Sequence, residues 1–128
     1  MADKIEQSVT FNAKPARLYD ILLDSEQFSA FTGAPASIEA VAGGAFSTFG
    51  GMIAGRNVEL APGKRIVQAW RVGNWPEGVY SIVRFDLAGD NAGARLTLSH
   101  TGFPEDHRVH LDSGWHARYW EPLRAYLG

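Results

Sequence analysis

Apolar and polar residues alternate near the start of the chain. Ile5, Val9 and Phe11 share one parity of the segment Ile5 to Phe11, which is the period of a strand with one buried face. The rhythm then changes. Pro15 suits the first turn of a helix, because its missing N–H would be unpaired there anyway, and Leu18, Ile21 and Leu22 recur at helical spacing until Asp24-Ser25 interrupts. A second short helix, Glu26 to Phe31, carries Phe28 and Phe31 and ends at Gly33. From Ala36 to Thr101 the chain reads as strands and tight turns. The strands expected are Ala36 to Val41, Ala45 to Phe49, Met52 to Leu60, Arg65 to Val72, Val79 to Leu87 and Ala94 to Thr101. Gly43-Gly44, Gly50-Gly51, Pro62-Gly63 and Gly89-Asp90-Asn91 supply the turns, with a wider loop around Trp75. The last segment, Val109 to Leu127, returns to helical spacing at Leu111, Trp115, Tyr119, Leu123 and Tyr126, with Pro122 expected to kink it.

Short turns between successive strands make an antiparallel meander, and its apolar face needs a cover. The C-terminal helix is the one long element available, and about 18 residues at 1.5 Å each reach roughly 27 Å, enough to cross the sheet. The expected fold is α+β: one helix-grip domain over residues 1–128, a curved antiparallel sheet around the terminal helix, with two short helices after the first strand. A bent sheet closing on a single helix leaves a hollow between them.

The ordered set of segments carries a family likeness. Val9-Thr10-Phe11-Asn12-Ala13-Lys14-Pro15, Gly43-Gly44-Ala45-Phe46, Gly51-Met52-Ile53-Ala54-Gly55, Ile66 to Arg71 ending in Trp70-Arg71, Tyr80-Ser81, Leu98-Ser99-His100 and the Gly114-Trp115 helix follow one another as they do in that family. The chain resembles the activator of heat-shock protein 90 ATPase homologue 1-like family, within the START-like, Bet v allergen-like (SRPBCC) superfamily. The resemblance implies a helix-grip fold with a deep ligand cavity. It also implies a chaperone as a partner, although the eukaryotic namesake acts together with a separate N-terminal domain.

Composition narrows the chemistry. The 128 residues are 45% hydrophobic and 20% charged, which suits a folded domain and excludes a disordered chain. With no cysteine, a disulfide scaffold, a thiolate metal site and a thiol nucleophile are all excluded. A net charge of −2 gives no bulk positive field to recruit nucleic acid or an anionic membrane. No export or lipidation signal is read at Met1-Ala2-Asp3-Lys4, so the expected location is the cytoplasm. There is no GxSxG, and Ser99 and His100, as neighbours on a strand, point to opposite faces.

The remaining candidates are rings and a few polar groups. Trp70, Phe85, Trp115 and Tyr119, with Val83 and Leu98, are expected to wall the hollow, either stacking on a ligand or simply packing the core. His100 shares parity with Leu96 and Leu98 and is read either as a satisfied core histidine or as a polar anchor. Arg56 shares parity with Met52, Ala54, Val58 and Leu60. Facing inward it would need a carboxylate from protein or ligand, and a bulge at Gly55 would turn it outward. It is placed with His100 on the cavity wall. The histidines at 100, 107, 110 and 116 match no metal-ligand spacing, so neither metal nor cofactor is expected. The functional reading is binding of a hydrophobic or aromatic small molecule. The alternatives are a chaperone-interacting module and a cyclase- or hydratase-type enzyme using His100 or Arg56.

Overall fold

The computed structural model describes residues 4–128. The Met1 to Asp3 start, read above for targeting signals, lies outside them. Seven strands form one antiparallel sheet: β1 (Lys4–Phe11), β2 (Ser37–Ile38), β3 (Ala45–Thr48), β4 (Ile53–Ala61), β5 (Arg65–Val72), β6 (Ser81–Asp90) and β7 (Gly93–Thr101). Their order in the sheet is β1-β7-β6-β5-β4-β3-β2. The meander therefore runs as expected from β2 to β7, and β1 closes against the last strand, with Ile5 opposite His100 and Phe11 opposite Ala94. The fold is α+β and helix-grip-like.

Two helices fill the gap between β1 and β2. Helix α1 (Pro15–Leu23) buries Leu18, Ile21, Leu22 and Leu23. Asp24 ends it and caps α2 (Ser25–Thr32), its Oδ1 accepting from the backbone N–H groups of Glu26 at 2.9 Å and Gln27 at 3.3 Å. A short acidic side chain at that point both stops one helix and satisfies the first donors of the next. Gly33, left-handed at φ 74°, closes α2.

The C-terminal helix is longer than any other but not uniform. Helix α3 (Arg108–Trp115) runs into a π-helical turn (His116–Trp120) and then α4 (Glu121–Leu127). The irregularity thus begins at His116, six residues before Pro122. In the π turn the Glu121 N–H reaches back to the His116 carbonyl. Pro122 then falls in the first turn of α4, where a missing N–H is tolerated. The extra residue also turns two neighbours, Tyr119 and Trp120, into the core together.

The inner face of the sheet carries Ile66, Trp70, Ser81, Val83, Phe85, Leu87, Leu96, Leu98 and His100, all buried. Strand β4 departs from the expected parity. A bulge between Asn57 and Glu59 absorbs Val58, so Ile53, Gly55 and Asn57 face inward while Arg56 and Val58 face out. Asn57 is fully buried and donates from Nδ2 to the Glu39 carbonyl at 2.8 Å, while its Oδ1 accepts from Gln68 Nε2 at 3.1 Å. This amide pair occupies what an apolar residue would otherwise fill. Strand β2 is shorter than expected because residues from Glu39 to Gly44 bend to meet Asn57.

Gly55 explains how β4 packs so closely. A Cβ there would lie 1.8 Å from the Ala69 carbonyl oxygen and 3.0 Å from the Phe46 ring. Gly55→Ala is expected to lower stability by at least about 2 kcal/mol, by forcing β4 off β5. Urea denaturation would check this, and a midpoint equal to that of the parent protein would contradict it.

Candidate functional site

Beneath the terminal helix the expected hollow is largely filled by its own aromatic rings. Trp115 stacks on Trp70 at 5.6 Å and on Trp120 at 5.7 Å, and lies 4.4 Å from Tyr119 and 5.7 Å from Phe85. Such offset and edge contacts each add about 0.5–1.5 kcal/mol beyond the area they bury. Val83 and Leu98 pack beneath this cluster with no exposure, as core rather than as cavity wall.

His100 sits under the same cluster with its ring fully enclosed. Its neighbours fix its tautomer. The Trp115 indole N–H donates to His100 Nδ1 at 3.2 Å, so Nδ1 is the bare nitrogen and Nε2 carries the hydrogen. That Nε2–H donates to Ser81 Oγ at 2.8 Å, and the Ser81 hydroxyl donates in turn to the Trp70 carbonyl at 2.9 Å. Every polar atom of the chain of bonds is used once in a consistent direction. Burial pushes the imidazole pKa down to about 3. His100 is therefore a satisfied core histidine, locked neutral between sheet and helix.

Arg56 is the clear correction. It lies on the exposed face of β4, and its guanidinium donates to the Gly43 carbonyl at 2.9 Å. The bulge that sets its direction lies after it, at Val58, not at Gly55. His100 and Arg56 are thus on opposite faces of the sheet, and the polar pair required by an enzyme reading does not converge.

Open space remains beside the cluster. A cleft with about 70 Å³ of free volume runs between α3, the π turn and the ends of β4 and β5. Trp70, Trp115 and Tyr119 line it, together with Met52, Ile53, Val72, Leu111 and Gly114, and His110 and Arg118 sit among them. On the far side of Tyr119 a much smaller internal void is bounded by Phe28, Thr48, Gln68 and Phe85. Tyr119 belongs to both walls. Burial raises the pKa of its phenol strongly, partly offset by the nearby Trp70 indole and Thr48 hydroxyl. Trp70 Nε1 and Thr48 Oγ1 are themselves buried without a hydrogen-bond partner. Phe49, at φ 54° in the left-handed region, is held there with its ring against Phe28 and Tyr119.

The cleft residues that sequence reasoning missed share a signal. Leu111, Gly114 and Arg118 fall three or four positions apart on the helix face that also carries Trp115. The remaining histidines do not form a metal centre; among the described residues no three His, Cys, Asp or Glu side chains cluster as ligands. No described helix is long and apolar enough to cross a membrane.

Residues 12–128 match the family described as activator of Hsp90 ATPase homolog 1-like protein. The human activator of 90 kDa heat shock protein ATPase homolog 1 is 33% identical over 125 residues, covering 98% of this chain and 37% of the relative. This chain therefore spans just over a third of the length of that relative. Among solved structures, an HSP90 activator from Plasmodium falciparum superposes with a TM-score of 0.86 at 23% identity, covering all of this chain and 96% of that one. The Aha1 dimer from Colwellia psychrerythraea superposes at 0.83 with 20% identity, over 98% and 96% of the two chains. At these identities the superpositions establish the fold.

The state of His100 sets a pH dependence. Neutral in the fold and titrating near 6.5 when unfolded, it takes up a proton on unfolding at any pH between about 6.5 and 3. Its contribution is intact above pH 6.5 and is lost by about 1.4 kcal/mol per unit as the pH falls through that window. A His100→Gln variant can still accept from Trp115 and donate to Ser81 but does not titrate. Between pH 7 and pH 5 the parent protein should lose about 2 kcal/mol more stability than this variant. Equal losses in urea melts at the two pH values would show that His100 ionises inside the fold.

Proposed function

Because this chain belongs to the activator of Hsp90 ATPase homolog 1-like family, we propose that it is a docking domain for an Hsp90-type chaperone. The observation that carries the reading is the 33% identity to the human activator across 98% of this chain, which spreads over the whole fold rather than one motif.

The sheet's outer face supplies a suitable surface. Arg56, Ala69, Ile82 and Thr101 lie in one row across β4, β5, β6 and β7. Ile82 and Val58 are about half exposed on that face, as is Tyr80 just before β6, whose ring lies under the Arg71 guanidinium at 5.6 Å. Exposed aromatic and aliphatic groups among arginines are the composition of a protein interface. Calorimetric titration with the Hsp90-type chaperone of the same organism should give saturable binding. Ile82→Glu, at an exposed position, should weaken it at least tenfold without unfolding the domain. Absence of binding to the chaperone in all its nucleotide states would overturn the reading, and an unchanged affinity for the variant would move the interface elsewhere.

A second reading, binding of an apolar small molecule, is favoured by the cleft itself. The cleft is partly open to solvent and walled mainly by rings and aliphatic groups. An anilinonaphthalene sulfonate dye should bind the native domain saturably, and Trp115→Ala should alter that binding. A dye that fluoresces only with the unfolded chain would remove this reading while leaving chaperone docking untouched.

A further inference from the structure

The cleft carries a glycine that the helix does not need. Gly114 lies inside α3, where glycine costs about 1 kcal/mol relative to alanine. Interior glycines are normally explained by a close neighbour. Here a Cβ would meet no atom within 4 Å, so nothing in the fold demands the missing side chain. What the glycine does is leave the cleft wall bare between Leu111, Trp115 and Arg118. The π turn sets Tyr119 against this space, and such turns are rare and frequent at functional sites.

The charge in the cleft has one sign. Of its lining residues, Arg118 is the one permanently charged group, and no carboxylate lines the space. Arg118 forms no ion pair among the described residues; its guanidinium instead lies 4.0 Å from the Met52 sulfur at the mouth. His110 lines the same space from one helical turn below Gly114. Rings line the floor: Trp70, Trp115 and Tyr119.

From this combination we propose that the cleft is a binding site for a small, flat aromatic acid, its ring lying over Gly114 between Leu111 and Met52, with only the edges of the buried Trp70 and Trp115 beneath it, and its carboxylate at the mouth on Arg118. The proposal rests on the small-molecule reading of the cleft and specifies its chemistry. A desolvated ring supplies most of the attraction, and the single unpaired cation selects an anion over a neutral molecule of the same shape.

Naphthalene-2-carboxylate and its neutral counterpart naphthalene-2-methanol are the probes, followed by tryptophan fluorescence and calorimetry on the full chain. The acid should bind at least tenfold more tightly than the alcohol. Arg118→Ala should remove that preference and change the affinity for the alcohol less than twofold. Gly114→Leu should abolish binding of both, while Gly114→Ala, which fills little of the cleft, should retain binding and raise the melting temperature. Circular dichroism confirms that each variant is folded, and if Gly114→Leu fails to fold, Gly114→Ser and Gly114→Val take its place as graded fillers. Equal affinity for acid and alcohol would overturn the proposal and leave an apolar cleft. Undiminished binding to folded filled variants would place the site elsewhere. Dye binding without binding of either naphthalene would overturn this proposal alone, whereas absence of all three would overturn the small-molecule reading with it.

Discussion

One contact determines how helix and sheet meet: the indole N–H of Trp115 donates to the buried Nδ1 of His100. Because Nδ1 must accept, the imidazole is neutral and its other nitrogen must donate, which commits Ser81 and then the Trp70 carbonyl to their roles. The helix is thereby joined to β7, β6 and β5 through one directional chain. Ring contacts then follow from where that bond holds Trp115, with Trp70 on one side, Trp120 on the other and Phe85 at its edge. A hydrogen bond of this kind contributes only about 1 kcal/mol on balance, but leaving Trp115 or His100 unpaired at that depth would cost more. Its importance is in register rather than in net energy.

A second tie acts at β1. Trp120 Nε1 donates to Gln7 Oε1 at 2.6 Å, and Gln7 Nε2 donates to the backbone and side-chain oxygens of Asp112. Gln7 thus bridges α3 and the π turn from one strand position. Trp115 and Trp120 are held to different strands, and the π turn between them supplies the extra residue that lets both rings face the sheet. A regular helix would rotate one of them away by part of a turn.

Most of the fold was legible because period-2 and period-3.6 patterns hold wherever one face alone is buried. Val83, Phe85, Leu87, Leu96, Leu98 and His100 face inward as their parity requires. The pattern failed at β4, where the four apolar residues sharing Arg56's parity outvoted Ile53 and Asn57. A single bulged residue, Val58, reverses parity within the strand, so Leu60 does turn inward while Arg56 and Val58 do not. A buried Asn57–Gln68 pair is invisible to a hydrophobic count, since each residue type is usually found in water. The site was legible in its rings and not in its openings. Trp70, Trp115 and Tyr119 were read as wall residues and do line the cleft, whereas Gly114 and Arg118 required knowing which helix face stays uncovered. The depth of the hollow was also misjudged, because the same rings expected to wall it fill it.

The remaining space is a consequence of that filling. Trp115 occupies the centre of the helix-to-sheet interface, so the volume on its Tyr119 side is split into a small void and a larger cleft, with Tyr119 lining both. The smaller space is lined by Thr48 and Gln68 as well as rings, and the cleft by rings, aliphatic groups, His110 and one cation that forms no ion pair among the described residues. The Tyr119 ring is held between the two spaces by its contacts with Phe28 and Phe49. The outer face of the sheet is independent of this arrangement. Arg56 and Ile82 point away from the core on strands whose inner faces are fixed by the aromatic cluster. A partner could cover that face without disturbing the cleft, so the two surfaces are separate parts of one rigid scaffold.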